Sequence, residues 1–566
     1  MFLALTGFWL YVVAIIAFII IIGIIICFHE FGHYFFAKKA GILCHEFSFG
    51  MGPALYKKQR GETLFAIRAI PIGGYVAMAG EQQTDIYCKP GSNIGLNLVD
   101  DVVTEIILDD NKECQVRGQV VRADLSGKDG EALYITILVG ETEYYYNVKK
   151  DAHFVFEKDQ RLQIEPYDRT IDSKNPWQRF ITLFAGPMNN MILAIFLYFI
   201  ISFANGVPNY SSTKVGEISG ENYPAYGILE KGDELLSING NKISSWTEFS
   251  QTVDKEYKTT TTLLIEYKHD GVIQPIKELE AITIIQSIGI SNADLKGDDL
   301  KAITLESNIK DKKGNPITGL KLGKVGFREK IDVKQNDIIT KIHIDYDSTD
   351  EALGLVDKDV DATSWVLVTN EFDKITSQAT VSFDYYSYND SDKSYEEMKT
   401  SSNTTTYTNE VLESQSVAKI RHLIGISCET HADFFPCIGQ AFTYFWSDFT
   451  LIFRTLKLLI APSGVRQIGV SDLSSFVGIY KLVEKYIGAG FIALLTLTAL
   501  LSVNIGVMNL LPIPALDGGR ILFLAIELIT RKKVSKKVET VINNVFFVLI
   551  LVLFVYITVN DIIRLF

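Results

Sequence analysis

Over four long stretches this chain carries no charge at all. Each stretch is about 20 residues long and mostly apolar, the length needed to cross ~30 Å of hydrocarbon. Elsewhere charge is plentiful: charged residues make up 21% of the sequence, yet the mean hydropathy is +0.17. Apolar and polar segments are therefore segregated, as in membrane helices joined by water-facing domains. A basic surplus is missing too. Lys and Arg number 54 against 67 Asp and Glu, a net charge of -13, which excludes nucleic acid as the main partner. Cysteine is scarce. Six cysteines in 566 residues do not make a disulfide scaffold. None stands in a C-x-x-C pair, so a thiolate zinc site has no support. Cys428 and Cys437 are expected as free thiols, able to pair only on an oxidising side.

The uncharged stretches are Phe8 to Phe28, Phe180 to Ala204, Phe491 to Leu511 and Val541 to Asn560. The first lacks the basic n-region and the small-residue cleavage site of a signal peptide, and its apolar run is too long. A further apolar stretch, Ala441 to Ile460, contains Asp448, Arg454 and Lys457. Charges at mid-depth cost several kcal/mol each, so this stretch is expected to lie on the membrane surface. Basic residues set the orientation. Lys38, Lys39, Lys57, Lys58 and Arg60 follow the first span, and Arg531, Lys532, Lys533, Lys536 and Lys537 fill the third loop. Two crossings separate these loops, so they share one side, and the positive-inside rule makes it cytosolic. Both termini are then expected outside, together with the segment from about 205 to 488.

At the end of the first span stands His29-Glu30-Phe31-Gly32-His33. Residues four apart share one helix face, so both imidazoles can reach one metal. Glu30 is placed to take a proton from a water activated there. A catalytic zinc usually has three protein ligands and one open position. The best third ligand is Asp517, in Asn509-Leu-Leu-Pro-Ile-Pro-Ala-Leu-Asp517-Gly-Gly. Spans one and three cross in the same direction, so the two half-sites can meet at one depth. Alternatively, Asp517 caps a helix or opens a turn before Gly518 and Gly519. Asn190 and Asn509 lie in the cytosolic halves of spans two and three. An amide in hydrocarbon needs a hydrogen-bond partner, either a substrate backbone or a neighbouring helix.

Thr63 to Gly80, with Gly73, Gly74 and Tyr75, alternates weakly and reads as a β-hairpin or looped strand pair. Its apolarity suggests a segment dipping into the membrane beside the metal, where an edge could pair with an unwound substrate. Lys214 to Val253 has a Pro-Ala turn, a short helix, Gly232-Asp233 and a strand ending at Asn239-Gly240, which looks like a PDZ domain. Residues from about 291 to 420 are polar with strand signals, expected as a β-rich extension or a second PDZ-like unit. Ser401 to Thr408 reads as a solvated loop. His45, His153, His269, His343, His422 and His431 are scattered and read as surface or structural residues.

Together these residues resemble the site-2 protease family of intramembrane metalloproteases, in its bacterial PDZ-containing branch (RseP/RasP type). Three blocks carry the resemblance. They are HEFGHYFFAKKAGI with FSFGMGPALY and IPIGGYVAMAGE, then DRTIDSKNPWQRFITLFAGPMNN, then SVNIGVMNLLPIPALDGGRILFLAIE to the C-terminus. The resemblance implies one zinc ion held by His29, His33 and Asp517, with Glu30 as general base. It implies substrate positioning by Asn190, Asn509 and the hairpin around Gly73, Gly74 and Tyr75. It implies substrates that are single-span membrane proteins, such as anti-sigma factors or signal-peptide remnants, already trimmed by another protease. The acidic, strand-like insertion from about 82 to 173 is similar to the longer cytosolic insert of Gram-positive relatives.

The expected fold is therefore a polytopic α-helical membrane protein of four transmembrane helices. To it are added a membrane-associated β-hairpin, a β-rich cytosolic insertion and an extracytoplasmic PDZ-like α+β domain. The expected divisions are 1–80, 81–178, 179–204, 205–290, 291–435, 436–488 (interfacial helices) and 489–566. A membrane-anchored protease of soluble proteins would instead have its third ligand in a soluble domain. A scaffold or sensor with a structural metal would not need Glu30. A transporter has little support, because no paired repeat or mid-membrane charge array is present.

Overall fold

The computed structural model describes residues 8–563, apart from 81–86, 129, 158–159, 222, 286–287, 297–298, 303–308, 324–331, 347–355, 376–378, 407–418 and 461–472. The chain divides into two compact units. One comprises Met1–Phe199, Tyr444–Phe449 and Leu473–Phe566, and the other Ile200–Thr443 and Thr450–Asp472.

Among the described residues, four helices are long and apolar enough to cross a membrane. They are α1 (Phe8–Lys39), α2 (Pro176–Asn205), Phe491–Leu510 and Lys536–Ile563. Each matches one uncharged stretch and mostly runs past it. α1 continues through the histidine motif to Lys39, because nothing from Phe28 to Lys39 breaks a helix and the motif needs that face continuous.

Between α1 and α2 lies a sheet of two long strands, β1 (Cys44–Arg60) and β2 (Thr63–Met78). The segment from Thr63 onward, expected as a hairpin of its own, pairs instead with Cys44–Arg60, which runs between its two halves. β1 is paired on both sides. Phe47 lies opposite Val76 and also opposite Phe65, while Ala54 to Arg60 run back against Thr63 to Arg68. Glycines let this sheet sit against α1. A Cβ on Gly23 would lie 3.2 Å from the Phe49 ring, and one on Gly74 would lie 2.7 Å from Ile26 and 3.2 Å from Glu30 Cγ.

The insertion that follows is a closed β-structure. Its strands are β3 (Asn93–Val99), β4 (Val102–Ile107), β5 (Val116–Asp124), β6 (Tyr134–Val139), β7 (Thr142–Val155) and β8 (Arg161–Gln163). The order β4-β3-β5-β6-β7 is closed by β4 pairing with β7. Closure removes the free edges that an isolated sheet would expose. Ile94, Leu96, Ile106, Ile135, Ile137 and Phe154 fill its core. Glu165 ties it to the β1–β2 segment, one oxygen 3.0 Å from His45 Nε2 and the other accepting from Gly80 N.

The second unit repeats one pattern twice. α3 (Trp246–Glu256) is capped by Ser245 and α4 (Trp365–Lys374) by Ser364, each serine accepting from the third residue on. The tryptophan after each cap is buried. Asp233 and Asp337, both buried, each accept the backbone N–H of the third residue before them. Ile-Gly-Ile-Ser occurs at 288–291 and at 424–427, and Gly289 and Gly425 have φ of 77° and 85°. Ile288 and Ile290 pack in the core with Trp365, whereas Ile424 packs in the core with Trp246. The chain thus completes the α3 fold only after passing through the α4 fold: Val215–Ile218 pairs with Ile426–Cys428. The two patterns are thus nested, one inside the other. Of the loop expected at Ser401 to Thr408, residues 407 and 408 lie outside the described residues, and Thr404–Thr405 is a short strand.

The remaining helices are α5 (Phe434–Ile460), α6 (Phe476–Ala489), α7 (Phe491–Leu510), α8 (Asp517–Thr530) and α9 (Lys536–Ile563). α6 is capped by Ser475, and its first turn is held from α9 by Asp561, which accepts from both Ser475 N and Oγ at 2.7 Å. At the other end of the bundle, Lys533 Nζ donates to Asp172 O and Lys536 Nζ to Gly80 O. The basic loop before α9 therefore contacts the connection between α1 and α2 at that end. Cys428 and Cys437 are buried free thiols.

Candidate metal centre

α7 ends at Leu510, two residues before Pro512, which has no N–H for another helical turn. Pro514 follows, and the chain folds back before α8 starts at Asp517. This hairpin is tight. A Cβ on Gly518 would lie 2.1 Å from Leu511 O, and one on Gly519 2.5 Å from Ile513 O. The two glycines after Asp517 are thus required by the close return of the chain. Ala515 adopts φ of 77°, a region that costs a non-glycine residue about 1–2 kcal/mol. Its N–H donates to Asn543 Oδ1 of α9 at 3.2 Å.

The turn delivers Asp517 to the histidines of α1. His29 Nε2 is 3.1 Å and His33 Nε2 3.3 Å from Asp517 Oδ2, and the two Nε2 atoms are 3.2 Å apart. Among the described residues, this is the one group of His, Cys, Asp or Glu side chains that could share a metal. Both histidines are buried, at 8% and 6% exposure.

The donor set fits zinc. A tetrahedral ion with ligands at ~2.0–2.1 Å has ligand-to-ligand edges of about 3.3–3.4 Å, close to the three separations here. His33 Nδ1 is 2.8 Å from Thr182 O of α2, so one ring proton lies there, and in the neutral ring Nε2 carries the lone pair. That lone pair is the one a metal ion takes.

α2 supplies the surroundings that the sequence reading missed. Gly32 of α1 touches Ala185: a Cβ there would lie 2.3 Å from Ala185 O. Gly186 touches His33, where a Cβ would lie 2.2 Å from Nε2. The signal was present in the small residues Gly32 and Gly186, which mark a close helix crossing. Asn189 Nδ2 donates to Phe28 O at 2.9 Å. Arg179 Nη1 lies 2.9 Å from Glu527 Oε2, tying α2 to α8.

Of the expected site residues, the structure brings His29, His33 and Asp517 together, with Asn190 Nδ2 3.3 Å from His29 Nδ1. Glu30 follows His29 on α1 and has Gly74 beside its side chain. Gly73, at φ of 84°, turns the strand into that position. Tyr75 lies opposite Ser48 and has the Arg68 guanidinium 5.6 Å over its ring. Asn509 sits half-buried in the last turn of α7. The scattered histidines take other partners: His269 lies against Asp233, His343 against Asp359 and Asp384, and His431 against Val207 O.

Comparison with known proteins bears on this geometry. The model of peptidase family M50 matches residues 17–553. A Staphylococcus aureus (strain MSSA476) protein whose name describes a zinc metalloprotease is 30% identical over 558 residues, covering 98% of this chain and 99% of the relative. The zinc metalloproteases RasP of Oceanobacillus iheyensis and Shouchella clausii are 28% and 29% identical over 554 residues, with the same coverage.

Proposed function

The chain belongs to peptidase family M50, the site-2 proteases, and is a zinc metalloprotease of the membrane; from that premise we propose that it cuts single-span membrane proteins within or beside their membrane segment. In this reading His29, His33 and Asp517 hold the zinc, and Glu30 is the general base. The observation that carries it is the convergence of three metal-capable side chains from α1 and α8, with Glu30 between the two histidines in sequence.

Zinc, when bound, supplies a Lewis acid that polarises a carbonyl and makes water acidic near neutral pH. The Glu30 carboxylate takes the proton of the attacking water and then gives it to the leaving amide nitrogen. A helical substrate cannot react directly, because its backbone groups are already paired and its scissile carbonyl is shielded. The segment Gly74–Met78 supports an answer. It is paired with β1 on one side, and no described strand pairs with its other edge. An unwound substrate strand adds there, next to Glu30. Tyr75 and Asn509 are the side chains proposed to position it.

In the proposed topology the two basic loops, and with them the metal centre, face the cytosol. The two nested folds of the second unit are then PDZ-like domains on the outer side. They select substrates already shortened by another protease, such as anti-sigma factors or signal-peptide remnants.

The test is cleavage by the purified chain in proteoliposomes, with cut sites mapped by mass spectrometry. A single-span protein should be cut within or at the border of its apolar segment. Preferential cutting of a water-soluble peptide would reject the intramembrane reading.

A further inference from the structure

Asn190 is completely buried, at 0% exposure, so it is poorly placed to touch a substrate. It sits on α2 between α1 and α7. Its backbone carbonyl accepts from Ser502 Oγ of α7 at 2.8 Å. Gly506, one turn further, leaves room for it: a Cβ there would lie 3.4 Å from Asn190 Cβ. Its side chain ends 3.3 Å from His29 Nδ1, and its Oδ1 has no hydrogen-bond partner.

A buried amide oxygen without a partner is destabilising. The two ends of an asparagine amide are interchangeable by shape, and their assignment follows from the hydrogen bonds they make. Turning the amide over places Oδ1 against His29 Nδ1. That nitrogen must carry the ring proton if Nε2 is to present a lone pair to a metal. His33 already has this arrangement, with its Nδ1 against Thr182 O of the same helix. Metal-binding histidines generally donate their second ring N–H to such an acceptor, which fixes tautomer and ring orientation.

We propose that Asn190 is a positioning residue of the metal centre: its side-chain carbonyl accepts the Nδ1 proton of His29 and holds that ring with its Nε2 lone pair toward His33 and Asp517. α2 then orients both imidazoles, one through a backbone carbonyl and the other through a side-chain one. The inference rests on the reading of His29 as a zinc ligand.

The test is zinc affinity of the full chain in detergent, by competition with a chromophoric chelator. Wild type is compared with Asn190→Leu, Asn190→Asp and His29→Ala, and thermal unfolding is followed alongside. Asn190→Leu, similar in shape and without an acceptor, should bind zinc about 10–100-fold more weakly. Asn190→Asp keeps the acceptor and should bind zinc at least as tightly as wild type. This second variant decides the matter if Asn190→Leu does not fold. Wild-type affinity in Asn190→Leu, or loss in Asn190→Asp equal to that in Asn190→Leu, would overturn the proposal. So would a raised KM with unchanged zinc affinity, which marks a substrate contact. If His29→Ala also keeps wild-type affinity, the ligand reading itself falls, and the proposal with it.

Discussion

Gly32 of α1 and Ala185 of α2 lie so close that a methyl group on the glycine would stand 2.3 Å from the Ala185 carbonyl oxygen. This contact brings the second helix within reach of the histidines. Because the helices cross here, Thr182 O meets His33 Nδ1 and Asn190 meets His29 Nδ1. The glycine inside the histidine motif is therefore a packing requirement of the candidate metal centre.

Gly32→Ala and Gly186→Ala should both cost more than the 1–3 kcal/mol typical of overpacking, because the clashing atoms are a backbone carbonyl and the His33 ring. Both variants should lose most of their zinc. Metal content per chain and thermal unfolding in detergent check this. A fully loaded Gly186→Ala protein of wild-type stability would show that the crossing has room to spare.

The turn that carries Asp517 stores strain at Ala515 and is held by Asn543. Asn543→Leu removes that hydrogen bond, worth roughly 1 kcal/mol, and should weaken zinc binding several-fold. Asn543→Asp keeps the acceptor and should bind like wild type. Chelator competition distinguishes the two.

Much of the site is legible in the sequence because helical spacing is a strong constraint. Residues four apart must share a face, so His29 and His33 declare themselves, and span counting brings Asp517 to the same end. The uncharged stretches declare the helices for a similar reason, since hydrocarbon admits few charges. What was not legible depends on contacts distant in sequence. Thr182 acts through its backbone carbonyl, which no side chain reports. The partner of β2 is β1, whose half from Met51 to Arg60 is exposed and has no buried face to mark it as a strand. The nested repeat was hidden because the Ile-Gly-Ile-Ser that completes the fold of Trp246 comes after the whole of the Trp365 fold.

Acid should loosen one junction through a single carboxyl. Burial pushes Glu62 up, but its contacts with Lys38 and Arg169 hold it below its ordinary value. A group with a depressed folded pKa contributes stability above its unfolded value, near 4.5, and loses it as pH falls through the lower folded value. Wild type should therefore lose more thermal stability than Glu62→Gln as pH drops below about 4.5. Other carboxylates and zinc release are common to both proteins and cancel in the difference. Parallel acid curves would mean that the pairing contributes nothing.

The most direct measurement is cleavage of a single-span substrate by wild type, Glu30→Gln and Asp517→Asn, with zinc measured in all three. The account predicts that wild type cuts. Glu30→Gln should keep its zinc and lose at least the 10²–10⁴-fold that general base catalysis supplies, and Asp517→Asn should lose both zinc and activity. If Glu30→Gln cuts as fast as wild type, or Asp517→Asn keeps zinc at wild-type affinity and full activity, the assignment of base or third ligand is contradicted.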